Sequence, residues 1–94
     1  MPHSPLKHFD AIVHGDVHGI GFRANTKRNA DVLGVTGYVE NVDDGTVHVR
    51  AVGEEGRLLA LLDFLNIGPS NSTVEKVDAT WSDVIETFDH FDIY

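Results

Sequence analysis

The sequence contains no cysteine, so neither disulfides nor thiol chemistry contributes, and the chain suits a reducing compartment. Long apolar stretches are missing as well: the longest covers residues 58–62, against the roughly 20 residues of a membrane-spanning helix. The amino terminus carries two prolines and lacks the apolar centre of a signal peptide. The expectation from these absences is a cytoplasmic protein without a membrane partner. Basic residues are scarce, with seven Lys and Arg against fifteen Asp and Glu, giving a net charge of −8. That balance opposes sequence-independent binding to nucleic acid. There are no low-complexity runs, and 41% hydrophobic with 23% charged residues is the composition of an ordinary globular domain. Ninety-four residues suffice for one domain, 1–94, with residues 1–6 expected as a flexible tail.

What is present is patterned. In residues 8–14, Phe9, Ala11 and Val13 alternate with Ile12 on the other face, as in a strand. From Phe22 the period becomes helical, through Thr26, Ala30 and Leu33, and Gly34 is placed to cap the end. Residues 35–42 and 46–52 read as two strands joined through Asp43-Asp44-Gly45, a hairpin turn. Leu58, Leu61, Leu62 and Leu65 mark a second amphipathic helix over about residues 54–66, ended by Gly68-Pro69. Val77, Ala79 and Trp81 alternate in a further strand, residues 83–86 intervene, and Phe91 with Ile93 indicates a short last one. Trp81, Phe88 and Phe91 read as core residues. The order βαββαβ, plus the short C-terminal strand, predicts an α+β ferredoxin-like sandwich, an antiparallel sheet with two helices on one face.

The chemistry concentrates between the first strand and first helix. Gly15, Gly19 and Gly21 let backbone N–H groups converge into a concavity that favours an anion, and the following helix N-terminus adds partial positive charge. Arg23 supplies a planar fork of donors, with Lys27 and Arg28 close behind. A nucleotide P-loop is excluded, since Gly21 is followed by Phe22 and Arg23 rather than by Lys and a hydroxyl residue. The dinucleotide pattern fails on glycine spacing. What remains is a cradle for one isolated phosphate.

The stretch Gly15-Asp16-Val17-His18-Gly19-Ile20-Gly21-Phe22-Arg23 resembles the acylphosphatase signature Gly-x-Val-Gln-Gly-Val-x-Phe-Arg. Gly34-Val35-Thr36-Gly37-Tyr38-Val39-Glu40-Asn41 is similar to that family's Gly-Leu-x-Gly-Trp-Val-x-Asn, and Asp44-Gly45-Thr46-Val47 and Gly68-Pro69 follow in register. The resemblance implies hydrolysis of the carboxyl-phosphate bond of a small-molecule acyl phosphate, with no cofactor and no metal. By motif position, Arg23 and Asn41 would be catalytic, Arg23 binding phosphate and Asn41 holding the attacking water. Gly15, Asp16, Val17, His18, Gly19 and Ile20 would complete the phosphate cradle. Three residues depart from the pattern: His18 stands for Gln, Ile20 for Val and Tyr38 for Trp. Asp16 stands where basic residues are frequent, its side chain expected in solvent. His14, His18 and His48 have no close metal-ligand spacing and read as surface or sheet-edge residues. A monomer is expected. The competing reading is a noncatalytic module that holds an anion or a protein on the same cradle.

Overall fold

The computed structural model describes residues 5–83 and 86–94. Its elements are β1 (Leu6–Asp16), α1 (Phe22–Leu33), β2 (Thr36–Asn41), β3 (Val47–Glu54), α2 (Glu55–Ile67), β4 (Thr73–Asp83) and β5 (Phe91–Ile93). Residues 1–4 of the expected tail and Val84 and Ile85 of the expected connection lie outside the described residues. Leu6, also placed in the tail, instead begins β1 opposite Glu54.

The strands form one sheet in the order β4-β1-β3-β2-β5. The pairs β1–β3, β1–β4 and β2–β3 are antiparallel, as the hairpin and the two crossovers require. The fifth strand corrects the expectation of a wholly antiparallel sheet, because β5 runs parallel to β2, with Gly37 opposite Phe91. Its chain leaves β4 at one edge and reverses before joining the opposite edge, so it meets β2 running the same way.

Alternation decides which face is buried. Phe9, Ala11, Val13, Val39, Val47, Val49 and Ala51 turn toward the helices, where Phe22, Ala30, Leu58, Leu61 and Leu65 complete the core. Each buried Leu or Phe there contributes roughly 1.5–3 kcal/mol of transfer free energy. Thr26, also fully buried, satisfies its hydroxyl by donating to the Phe22 carbonyl at 2.8 Å. Gly34 closes α1 with a left-handed φ of 71°, and the Val35 amide reaches back to the Ala30 carbonyl at 2.9 Å. Of the three aromatic residues assigned to the core, Phe91 is 1% exposed. Trp81 lies on the edge strand, 38% exposed, and covers Phe9 with ring centroids 5.4 Å apart. Phe88 is half-buried against Tyr38, on the opposite sheet face.

That outer face is organised by Asp10. Its Oδ1 accepts from Arg50 Nε at 2.9 Å and His48 Nε2 at 2.8 Å, and Oδ2 accepts from Arg50 Nη2 at 3.4 Å. His8 Nε2 lies 2.9 Å from Oδ2, but out of line for a hydrogen bond. Arg50 also donates to Glu86 at 3.0 Å, tying the segment before β5 to the sheet. Burial pushes the Asp10 carboxyl up, but its hydrogen bonds from Arg50 and His48 and the nearby positive charge outweigh that and hold it below the ordinary value of 3.8. Burial raises the Tyr38 phenol beside this network.

A carboxyl with a lowered folded-state pKa contributes stability that is full above its unfolded value and disappears as pH falls through the folded one. Asp10→Asn is therefore expected to cost about 1–3 kcal/mol at neutral pH, removing the negative charge that Arg50 and His48 share and replacing Oδ2 or Oδ1 with a donor. Denaturant unfolding from pH 7 to pH 2 measures this: the gap between variant and parent closes below about pH 4. A gap that stays constant across the range would contradict the assignment.

Candidate active site

The first strand runs two residues past its expected end, through a register shift between His14 and Gly15. Gly15, at φ 132°, lies so close to β4 that a Cβ would collide with the Thr73 carbonyl oxygen. Its lack of a side chain thus serves strand packing. Asp16 pairs with Thr73 and is exposed. The turn proper covers residues 17–21, anchored by Val17, which is 1% exposed. Gly19 and Gly21 adopt left-handed φ values of 70° and 78°, which L side chains resist.

Gly21 also starts α1, and no side chain caps that end by a hydrogen bond. The first turn has no acidic residue. The leading N–H groups of α1 therefore present their partial positive charge to the space in front of them. That space is a cavity of about 250 Å³ lined by Val17, Gly19, Gly21, Phe22, Arg23, Ala24, Asn41 and Ile93.

Two side chains give the cavity its chemistry. Arg23 projects from the first turn, and its Nη1 donates to the Tyr94 carbonyl at 2.7 Å. Tyr94 is placed by its own amide, which donates to the Val39 carbonyl at 2.9 Å and so continues the β2–β5 pairing. Asn41 ends β2 opposite Val47. Its Oδ1 is buried and has no hydrogen-bond partner among the described residues. The amide thus has unused acceptor capacity, and its residue forms part of the cavity wall.

The structure thus brings the expected pair, Arg23 and Asn41, into one cavity with Val17 and Gly19. It does not bring Gly15, Asp16, His18 or Ile20 to the cavity wall. The His18 side chain turns to the Thr46 carbonyl, and Ile20 is half-buried against the core. Sequence reasoning missed Ala24 and Ile93 in the wall, and Tyr94 as the partner of Arg23. The last is 71 positions away and is brought in by the parallel β2–β5 pairing, which no local periodicity signals. Of the basic cluster, Lys27 turns aside to the Phe91 carbonyl at 2.7 Å and to Asp31 at 3.1 Å. The histidines considered for a metal also part: His14 pairs with Asp78 at 3.0 Å, and His48 with Asp10.

The acylphosphatase family model matches residues 9–93, which span the cradle, Asn41 and β5. The chain belongs to the acylphosphatase family. It is 41% identical over 85 residues to an acylphosphatase of Salinibacter ruber, covering 90% of each chain. An acylphosphatase of Methanococcoides burtonii is 42% identical over 82 residues, 87% of this chain and 85% of that one. The crystal structure of acylphosphatase from Bacillus subtilis superposes with a TM-score of 0.91 at 33% identity, over 94% of this chain and 98% of that one. The acylphosphatase motif begins with Gly15, yet the contacts here divide its glycines into one that packs strands and two that shape the turn.

This division is measurable. Gly15→Ala is expected to destabilise the fold by at least about 2 kcal/mol, through overpacking against β4 and strain at positive φ. Gly19→Ala, where a Cβ meets open space, should cost only about 1 kcal/mol of backbone strain. Urea unfolding ranks the two, and the reverse order would return Gly15 to the cradle.

Proposed function

We propose that the chain hydrolyses acyl phosphates to a carboxylate and inorganic phosphate, with Arg23 and Asn41 as its catalytic residues. One observation carries the reading: an uncapped helix N-terminus, the Arg23 guanidinium and Asn41, whose amide oxygen has no partner among the described residues, meet in a single cavity. The phosphoryl group would lie against the turn and the first α1 amides, its charge balanced by Arg23, which cannot lose its proton and so cannot be a base. The Asn41 amide would hydrogen-bond the attacking water and hold it in line. The water oxygen forms the new bond to phosphorus as the bond to the acyl oxygen breaks. The electron pair leaves with the carboxylate, and the water proton passes to a phosphoryl oxygen. Such a leaving group needs little acid assistance, so orientation and charge stabilisation are the main tasks. Ile93 gives the wall an apolar side on which the acyl substituent can rest. The same reading has the protein acting as a monomer in the cytoplasm, with the cysteine-free composition in its favour.

Hydrolysis of benzoyl phosphate in the presence of a chelator tests the proposal. The parent protein should turn over, and Arg23→Ala and Asn41→Ala should each lower kcat/KM by about 10²–10³-fold. Arg23→Ala should also weaken inhibition by inorganic phosphate, whereas Asn41→Ala should act chiefly on kcat. Absence of turnover by the parent would leave the noncatalytic anion-binding module, and full activity in either variant would remove that residue from the mechanism.

A further inference from the structure

The two halves of the site hang on different parts of the sheet. Pairing between β1 and β3 stops at Val13 opposite Val47, while β1 continues along β4 as far as Asp16 opposite Thr73. The turn at residues 17–21 thus has no backbone ladder on its β3 side. Asn41 lies across that gap, at the end of β2. Among the described residues a single side-chain bond from the turn spans it: His18 Nε2 lies 2.7 Å from the carbonyl oxygen of Thr46, 28 positions away. A carbonyl only accepts, so Nε2 carries the hydrogen, in the neutral ring and the protonated one alike.

The acceptor is itself fixed. The same Thr46 oxygen takes the amide of Val42, the residue after Asn41, at 2.9 Å. Thr46 is 8% exposed, and its amide and hydroxyl both donate to Asp44 Oδ1, at 3.0 and 2.6 Å. One oxygen atom therefore joins the turn that would hold phosphate to the strand end that would hold water. We propose that His18 is a positioning residue: its imidazole sets the separation between the cradle and Asn41, where the family motif uses Gln. This rests on the function proposed above. In-line attack is sensitive to misplacement, with about 1 Å able to cost 10²-fold in rate. Phosphate binding by the turn amides and Arg23 depends much less on where Asn41 sits.

The test follows benzoyl phosphate hydrolysis and inhibition by inorganic phosphate in the full chain. His18→Ala should lower kcat about tenfold and change the inhibition constant for phosphate less than about threefold. His18→Gln, which keeps an N–H donor, should recover most of the loss, and His18→Leu, which keeps bulk alone, should not. In an Asn41→Ala background, His18→Ala should cost less than about twofold more, because the separation it sets no longer matters. Losses that multiply independently, or equal kcat values for His18→Leu and His18→Gln, would overturn the proposal while leaving hydrolysis intact. If His18→Ala does not fold, the Leu and Gln pair decides alone. No turnover by the parent would overturn the hydrolytic reading, and this inference with it.

Discussion

The unpaired N–H groups at the start of α1 are the constraint around which this molecule is arranged. A helix end has four such groups, and side chains commonly satisfy some of them. Here the capping position is Gly21, which has no side chain, and its left-handed backbone turns the chain sharply into the helix. The donors stay directed at the cavity because nothing nearby accepts them by a side-chain cap. Phe22, 2% exposed, fixes the orientation of that turn by burying its ring against Phe64, with centroids 6.2 Å apart. The polar end of the helix is thus held by the apolar residue beside it.

Holding Arg23 requires a different device. A carboxylate partner would fix the side chain but compete with an anion for its charge. The Tyr94 carbonyl positions Nη1 through a hydrogen bond and leaves the other guanidinium donors available. This gives the parallel β2–β5 pairing a role beyond closing the sheet, since it delivers Ile93 to the cavity wall and the Tyr94 carbonyl to Arg23. The Asp10 network secures the other approach to β5: Arg50 holds Glu86, and Tyr38 packs on both Phe88 and Tyr94.

Local pattern was enough to read most of this architecture, and failed where contacts are distant. Alternation in β1 and β3 and the leucine spacing of α2 placed the core, because burial acts on every turn or pleat of an element. Asp43-Asp44-Gly45 located the hairpin because Gly45, at φ 93°, and the Asp44 side chain build the turn from within. Arg23 and Asn41 were legible through motifs resembling a known family, and family membership supports that resemblance. The parallel sense of β5, the exposure of Trp81 on an edge strand and the two destinations of the turn glycines were not legible. Each depends on which strand becomes a neighbour, and a close approach such as Gly15 to Thr73 exists only after β4 has docked.

The net charge of −8 is compatible with an anion site because the two act over different distances. Asp16, Asp43 and Asp44 are exposed, and repulsion from such charges is screened over about 8–10 Å at physiological ionic strength. Within the cavity an anion would meet amides and a guanidinium at hydrogen-bond distance, where partial exclusion of water strengthens each contact severalfold over its value in bulk solvent. Asp44 further illustrates the separation: bonds from the Thr46 hydroxyl and amide lower its carboxyl pKa, and they engage that charge in building the turn. The acidic surface therefore sets the long-range field, while the unpaired donors of α1 and Arg23 set the field inside the cavity.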